Sequence, residues 1–557
     1  MTIPLRGYGS AVGESSGARE GSWQLLLNNS GVVAMHMAVT HHNTVIYFDQ
    51  TEEYSGYPLR RRYNGRRCIR IRKDFNDPDC YAHSIEYDVS SNRIRPLNLD
   101  TDTWCSSGSF LSNGTLLQTG GHGAGTRRIR YFSPDNRNDE WKQSRSFLSD
   151  SRWYASNQIL PENDQVIVVG GRRVYTYEFV PKLSSEADSI DLPFLHQTYD
   201  DNFKGNNLYP FLHLSSDGNL YIFANRDSIL FDYRRNKVVK TFHQIPGNGS
   251  RNNPSSGSSV ILPLDHTDRF QKVEVMVCGG AASGAYEAAR YGKYLDALRS
   301  CGGMVITGNK HEWNMEDMPE PRLMNDMLIL PTGDILIING AKRGSADYEK
   351  GRDPSFEPYL YAPKKTEGSR FSVLKSSNIA RMYQSSAVLL PDGRVLVAGG
   401  NPHRSYVLDT TADPDYYPTE LSLQAFVPHY MEQQYDDYRP ANVTITYSIG
   451  QDGVRYGGEF TVRFWLRRRP SKVVEFSAYA PPFTTHSISM NQRMLRLECK
   501  NMARSDDGGW VNAVLEAPPS PNVAPSGYYM LTVVNGGIPS ISEWIRVLGG
   551  PNKRTTQ

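Results

Sequence analysis

Long apolar runs are missing from this 557-residue sequence. No stretch approaches the ~20 apolar residues that a helix needs to cross a bilayer, and the longest patches, VIVVG from Val166 and VLVAGG from Val395, have strand length. An excess of one charge is missing too. Sixty-one basic against 59 acidic residues leave +2, so the balance indicates no nucleic-acid partner. With 39% hydrophobic and 22% charged residues, a mostly disordered chain and a charged coiled coil are also excluded. The opening MTIPLRGYGS lacks the basic-then-apolar pattern of a secretory leader, which by itself reads as cytosolic or as a chain whose leader is missing. Four short glycosylation sequons, at Asn28, Asn113, Asn248 and Asn442, lean the other way.

What the sequence has is turn chemistry. Forty-seven glycines, 33 prolines and 33 tyrosines suit an all-β chain. One unit recurs: an apolar run, a turn with Asn, Asp or Gly, a short β run, and often a Gly pair. Its clearest copies are FLSNGTLLQTGG ending at Gly121, ILPENDQVIVVGG at Gly171, LILPTGDILIING at Gly340 and VLLPDGRVLVAGG at Gly400. Weaker copies surround Asn43, Asp217 and His266, making seven. A spacing of about 50 to 70 residues suits four-stranded propeller blades. In each, a turn residue tolerant of positive φ joins two β runs, and the Gly pair lets backbones approach closely. GSWQLLL around Trp23 offers the strand that closes the ring. After Tyr438 the repeat stops, and TITYSI, EFTVRFW, VVEFSAYA, RMLRLEC and YYMLTVV fit a sandwich of ~100 residues. The expected fold is all-β: a seven-bladed kelch-like β-propeller over 31–438, preceded by an N-terminal segment 1–30 with the closing strand, followed by an immunoglobulin-like β-sandwich over 439–548 and a tail 549–557.

Innermost blade strands line the propeller axis, so residues entering them at one register form a ring at one mouth. Counting back about nine positions from each turn gives Cys105, Tyr154, Tyr209, Met324 and Tyr383. None is acidic, which argues against a propeller hydrolase with paired carboxylates. Cys105 and Tyr154 belong to consecutive blades, and ring closure brings Tyr383 round beside the first blade.

Around these residues the sequence resembles glyoxal oxidases, especially the plant-type members of the galactose-oxidase-like copper radical oxidases. The resemblance is carried by DTDTWCSSGSF at Cys105, SRWYASNQILP at Tyr154, ARMYQSSAVLLPDGRVLVAGGNPH at Tyr383 and APPFTTHSISMNQRMLRL at His486. It covers nearly the whole chain. It implies a copper ion held by Tyr154, Tyr383 and His486, a thioether joining Cys105 to the Tyr154 ring, and a tyrosyl radical on Tyr154 as the second redox unit. Tyr383 would be the axial tyrosine and the base. The implied reaction oxidises small aldehydes such as glyoxal or methylglyoxal to carboxylic acids and reduces O2 to hydrogen peroxide. The family pattern has histidine directly after the axial tyrosine; here that position is Gln384. An amide oxygen is a poorer donor to copper(II) than imidazole nitrogen. Gln384 is therefore read as a weak ligand, as the holder of a water ligand, or as the mark of a relative without oxidase activity that binds a glycan or protein. His403, in NPH, is the other imidazole near by, but it follows the second strand of its hairpin.

The remaining features are read more plainly. Trp104 and Trp153 are assigned to core packing, since strand neighbours point to opposite faces. His36, His41 and His42 are read as solvated and GGHGAG through His122 as a blade loop. The basic run RFWLRRRPSK near Arg467 is read as an exposed sandwich edge. Six cysteines do not determine their own connectivity. Local spacing favours Cys68 with Cys80 and Cys278 with Cys301 in an oxidising compartment, leaving Cys499 unpaired and Cys105 available to tyrosine. The expected partners are a small aldehyde and O2, with cell-wall polysaccharide as a further one and neither nucleic acid nor a membrane span. The expected state is a monomer, secreted to the extracellular space or cell wall.

Overall fold

The computed structural model describes residues 20–51, 57–58 and 81–549, apart from the short stretches 137–138, 163, 183, 185–186, 202–204, 410–416, 469–472 and 506–508. Cys68 and Cys80, and the pairing read for them, lie outside the described residues. Among those residues seven antiparallel blades of four strands follow one another along the chain and form the propeller, six as separate four-stranded sheets and blade one as part of a sheet extended to six strands. The innermost strands are His36–Val39, Ser107–Phe110, Ser156–Ile159, Phe211–Leu214, Ser258–Ile261, Asp326–Ile329 and Ser385–Leu389. The seventh blade takes its outer strand from the N-terminal side: Ser22–Leu27 pairs antiparallel with Leu423–Val427, so the ring closes on itself.

The turns do what their residues dictate. In blade seven, Leu389 pairs with Val395 across PDG, the Asp392 carboxylate accepts from the Arg394 N–H at 3.0 Å, and Gly393 takes φ +93°. The Gly pairs mark where neighbouring blades touch. A Cβ on Gly279 would lie 2.4 Å from the Arg322 carbonyl oxygen, and one on Gly399 would lie 2.9 Å from that of Ala34, which leads into blade one. Each such junction is clamped by a buried arginine. Arg152 donates to the Gly170 carbonyl at 2.9 Å, Arg251 to Gly279 at 2.7 Å, Arg322 to Asn339 at 3.0 Å and Arg381 to Gly399 at 2.8 Å. A buried guanidinium is tolerated because carbonyls take up its fork of donors. These clamps hold the loops that lead into the innermost strands.

The sandwich follows from period-two patterning. Along Glu459–Trp465, Phe460, Val462 and Phe464 are buried while Glu459 and Arg463 are exposed. That strand is paired on both sides, with Ala441–Thr446 and Trp510–Glu516, so the basic run after it does not lie on a sheet edge. Its first two arginines instead reach back to the interdomain segment, Arg467 to Asp437 at 2.9 Å and Arg468 to Asp437 at 3.1 Å. Cys278 and Cys301 form a disulfide across two strands of blade five, and Cys499 is outside any disulfide. No helix among the described residues is long and apolar enough to cross a membrane.

One element joins the two domains. The sandwich sends out a hairpin, Phe483–Thr485 and Ile488–Met490, whose first strand pairs with His36–Val39 of blade one. It lies in the central channel. A Cβ on Gly108 of blade two would strike the Phe483 ring at 2.4 Å, which is why that innermost position is glycine. Beyond the hairpin, Asn491 accepts from the Ile159 N–H at 2.7 Å in blade three, and Gln492 accepts from the Ile329 N–H at 2.9 Å in blade six. The channel is thereby bridged from side to side.

Candidate functional site

Six blades share one local device. Two residues before the innermost register, the backbone adopts a left-handed conformation at a non-glycine residue: Cys105 (φ 52°), Tyr154 (66°), Tyr209 (51°), Ser256 (45°), Met324 (58°) and Gln384 (61°). Side chains other than glycine pay about 1–2 kcal/mol for this conformation, so its repetition at one mouth marks residues held there for their side chains. The alignment corrects the register count. Ser156 pairs with Val169 just before Gly170, and Ser386 with Ala398 just before Gly399, so Gln384 rather than Tyr383 is the counterpart of Tyr154. Tyr383 corresponds to Trp153. A backbone belt connects these turns: the Tyr154 N–H donates to the Cys105 carbonyl at 3.0 Å, and the Tyr209 N–H to the Tyr154 carbonyl at 2.9 Å.

The side chains of Cys105, Tyr154, Tyr383 and His486 meet at this mouth. The Cys105 Sγ lies 3.2 Å from His486 Nε2. The rings of Tyr154 and Tyr383 stand edge-on to the imidazole, with centroids 5.8 and 5.6 Å away. The Tyr154 phenol is in hydrogen-bond contact with both Cys105 and Tyr383. All four residues are at most 4% exposed, which removes bulk water from among them. Burial pushes both phenols well above the ordinary tyrosine range. Burial, helped by His36, holds His486 well below the ordinary histidine range, so its imidazole is neutral.

The tautomer of His486 is fixed from behind. Tyr209 donates its hydroxyl to the Ser106 carbonyl at 2.9 Å and is hydrogen-bonded by Thr485, whose Oγ1 lies 2.7 Å from His486 Nδ1. A carbonyl only accepts, so the chain runs one way: His486 Nδ1–H to Thr485, Thr485 to Tyr209, Tyr209 to Ser106. Nε2 is left with its lone pair toward Cys105. Gln384 is 2% exposed, and its Oε1 is buried without a hydrogen-bond partner. An imidazole nitrogen, two phenol oxygens and an unsatisfied amide oxygen form a donor set that suits copper(II).

Other assignments need revision. Trp104 and Trp153 pack against the core but are only half-buried, and with His122 they form an aromatic cluster on the rim. Their centroids are 5.0 Å apart, and His122 is 4.9 and 4.6 Å from them. The reason is the left-handed turn, which breaks strand alternation one residue later. His36 is fully buried, not solvated: its Nδ1 lies 3.1 Å from the Phe48 carbonyl and its Nε2 accepts from the Ser106 N–H at 3.2 Å. His41 is likewise mostly buried, stacked on Tyr528 at 3.9 Å. His41 and His42 both point Nε2 at Asp135, at 3.2 and 3.0 Å, a grouping with metal-binding spacing. The buried Nδ1 of His41 has no hydrogen-bond partner, which favours an Nε2–H donating to Asp135 over a metal ligand. His403 directs Nε2 to the Tyr417 carbonyl at 2.6 Å. Tyr348 was not indicated by the sequence. It sits between the hairpin strands Ala341–Gly344 and Gly351–Pro354, which depart from the blade pattern, and its ring stands 5.5 Å from Tyr383.

Buried titrating groups give the metal-free protein a pH dependence of stability. His36 and His213 are pushed down to about 3 and His41 to about 4 by burial, and His486 is also lowered, whereas Asp49 and Asp326 are pushed up to about 7 and about 8 by burial. Below pH 6.5 the unfolded chain protonates four histidines that the fold keeps neutral, which costs stability as pH falls. The two carboxyls act oppositely, since the fold protonates them while the unfolded chain does not. A net uptake of about 1.5 protons on unfolding remains, so stability should fall by about 2 kcal/mol per pH unit from pH 6 to 5. Urea denaturation across that window measures it, and a flat or rising profile contradicts the balance.

The Glyoxal oxidase N-terminus family model matches residues 35–430, and the Galactose oxidase-like, Early set domain model matches 439–547. The sequence is 40% identical to "Aldehyde oxidase GLOX" of Vitis pseudoreticulata, over 95% of this chain and 97% of that one. It is 41% identical to "Aldehyde oxidase GLOX1" of Arabidopsis thaliana, over 95% of this chain and 85% of that one. In fold it is similar to a copper-complexed fungal alcohol oxidase of the AA5 family, with TM-score 0.68 and 17% identity over 95% of this chain and 99% of that one. Both domains and nearly the full length are thus accounted for, and the chain belongs to the glyoxal oxidase family, oxidoreductases of the copper radical oxidase type.

Proposed function

We propose that the protein oxidises small aldehydes such as glyoxal or methylglyoxal to carboxylic acids and reduces O2 to hydrogen peroxide. The observation that carries this reading is the meeting of a thiol, two phenols and a neutral imidazole, with Cys105 Sγ 3.2 Å from His486 Nε2, in one water-excluded mouth. Tyr154, Tyr383, His486 and Gln384 would hold copper, which when bound supplies a one-electron couple. Tyr154, cross-linked to Cys105 through a thioether, supplies the second. With copper bound, Tyr383 would be held as a phenolate and would take the hydroxyl proton of the hydrated aldehyde at its phenolic oxygen, while the Tyr154 ring, one electron oxidised, would take a hydrogen atom from the aldehyde carbon. The overall change is RCH(OH)2 + O2 to RCOOH + H2O2, which balances without nicotinamide or flavin. The rim cluster of Trp104, Trp153 and His122 bounds the approach and favours small, flat substrates.

Gln384 supports a second reading, a propeller of this family without turnover that binds a glycan or protein. Peroxide release from copper-loaded protein given methylglyoxal separates the two. The oxidase reading expects release that vanishes in Tyr383→Phe; release equal in that variant, or none in the parent protein, overturns it. We also assign the protein to the secretory route. All four sequon asparagines, Asn28, Asn113, Asn248 and Asn442, are exposed, and the Cys278–Cys301 disulfide suits an oxidising compartment.

A further inference from the structure

We propose that Tyr348 and Gln50 are positioning residues that turn the Gln384 amide so that its oxygen, not its nitrogen, is the atom offered at the site. The inference rests on the reading of Gln384 as a metal ligand and explains how an amide serves there at all. The three side chains come from different parts of the propeller. Gln50 follows the second strand of blade one, Thr44–Phe48; Tyr348 lies in the hairpin extension of blade six; Gln384 enters blade seven. Gln50 Nε2 donates to the Arg404 carbonyl at 3.2 Å. The Tyr348 hydroxyl donates to Gln50 Oε1 at 3.1 Å, and Gln384 Nε2 donates to the Tyr348 oxygen at 3.4 Å.

The polarity of this chain is set at its far end. The Arg404 carbonyl can only accept, so Gln50 must give it the NH2 and keep its oxygen toward Tyr348. The single phenolic proton of Tyr348 is then spent on Gln50, and its oxygen is left as an acceptor. An amide turned the other way would set the Gln384 oxygen against the Tyr348 oxygen with no proton between them. Gln384 therefore gives Nε2 to Tyr348 and leaves Oε1, the atom that is buried without a partner. That matters chemically, because a neutral amide nitrogen has no available lone pair for a metal and its oxygen does. The Tyr348 ring, edge-on to Tyr383 at 5.5 Å and 5.9 Å from Trp104, is wedged in place and cannot follow a turning amide.

Copper affinity, measured by chelator competition and accompanied by EPR of the copper(II) protein, tests this. Tyr348→Phe should weaken copper binding about tenfold, the usual scale for a residue that orients a ligand, and should shift the copper hyperfine splitting. The decisive comparison uses Gln384→Glu, whose two end atoms are both oxygen and need no orienting. In that background Tyr348→Phe should change affinity by less than about twofold. An equal loss in both backgrounds would show that Tyr348 only packs, and no loss in the parent protein would show that it does not orient the amide; either overturns the relay. Gln384→Leu tests the underlying reading separately. Unchanged copper affinity in that variant removes Gln384 from the ligand set, whereas a loss there without a loss in Tyr348→Phe removes the relay alone.

Discussion

Digestion of copper-treated protein should yield the peptides carrying Cys105 and Tyr154 joined to each other and lighter than their sum by two hydrogens, about 2 Da. Forming the thioether removes one hydrogen from the thiol and one from the ring, and O2 in the presence of copper is the oxidant that takes them. The thiol is in hydrogen-bond contact with the Tyr154 phenol, and both side chains are almost fully buried, which keeps competing thiols away. The bond should fail in Cys105→Ala, and with it the tuning of the Tyr154 ring. Peroxide release should then fall about 100-fold or more, equivalent to about 2.7 kcal/mol of barrier. Recovery of two separate, unmodified peptides from protein that turns over aldehyde would remove the cross-link from the mechanism. Loss of turnover alone would not decide the matter, since a cavity at residue 105 also disturbs the packing. The mass is the primary readout.

The second large effect is expected at Gln384. Replacing it by histidine supplies imidazole nitrogen in place of amide oxygen, and copper binding should tighten about 10- to 100-fold, or about 1.4 to 2.8 kcal/mol. The position already adopts φ 61°, as Tyr154 and Cys105 do at their own turns, so the exchange asks the backbone for nothing new. Two outcomes for the reaction are informative. If peroxide release rises with affinity, the parent protein is limited by its metal; if affinity rises while robust release is unchanged, the amide is an adequate donor and the electronic argument against it fails. Affinity that is unchanged or weaker would mean that the residue at 384 does not reach the metal.

The parts of the molecule that were legible in the sequence are those fixed by neighbours along the chain. Turns such as PDG before Val395 and SNG before Leu116 carry their conformation in their own residues, and the Gly pairs announce close approach: an added Cβ would come within 3 Å of a carbonyl from the next blade at Gly120, Gly279 and Gly399. One regularity was present but unread. Arg152, Arg322 and Arg381 each stand two residues before Tyr154, Met324 and Tyr383, and these arginines clamp the loops that shape the mouth. Counting from turns placed Tyr383 one residue out of register although the turn of blade seven is as long as those of blades two, four and six; counted evenly from its glycine it gives Gln384, as strand pairing does. Tyr348 and Gln50 had no signal at all. Their positions depend on contacts between blades one, six and seven, and no local pattern encodes a contact 298 residues apart. His486 was singled out by its resemblance to a family motif alone; nothing in TTHSIS reveals that this hairpin enters a channel built from the other end of the chain.

That hairpin also orders events in time. A ribosome releases all the blade strands before it reaches Phe483, so the nascent ring must circularise, or wait ajar, around a hole that its own residues do not fill. The last fifth of the polypeptide then delivers the imidazole and the plug together. On the proposed ligand set, a translation product lacking its final segment would carry the phenols and the thiol but not the imidazole, and full copper capture would await the hairpin.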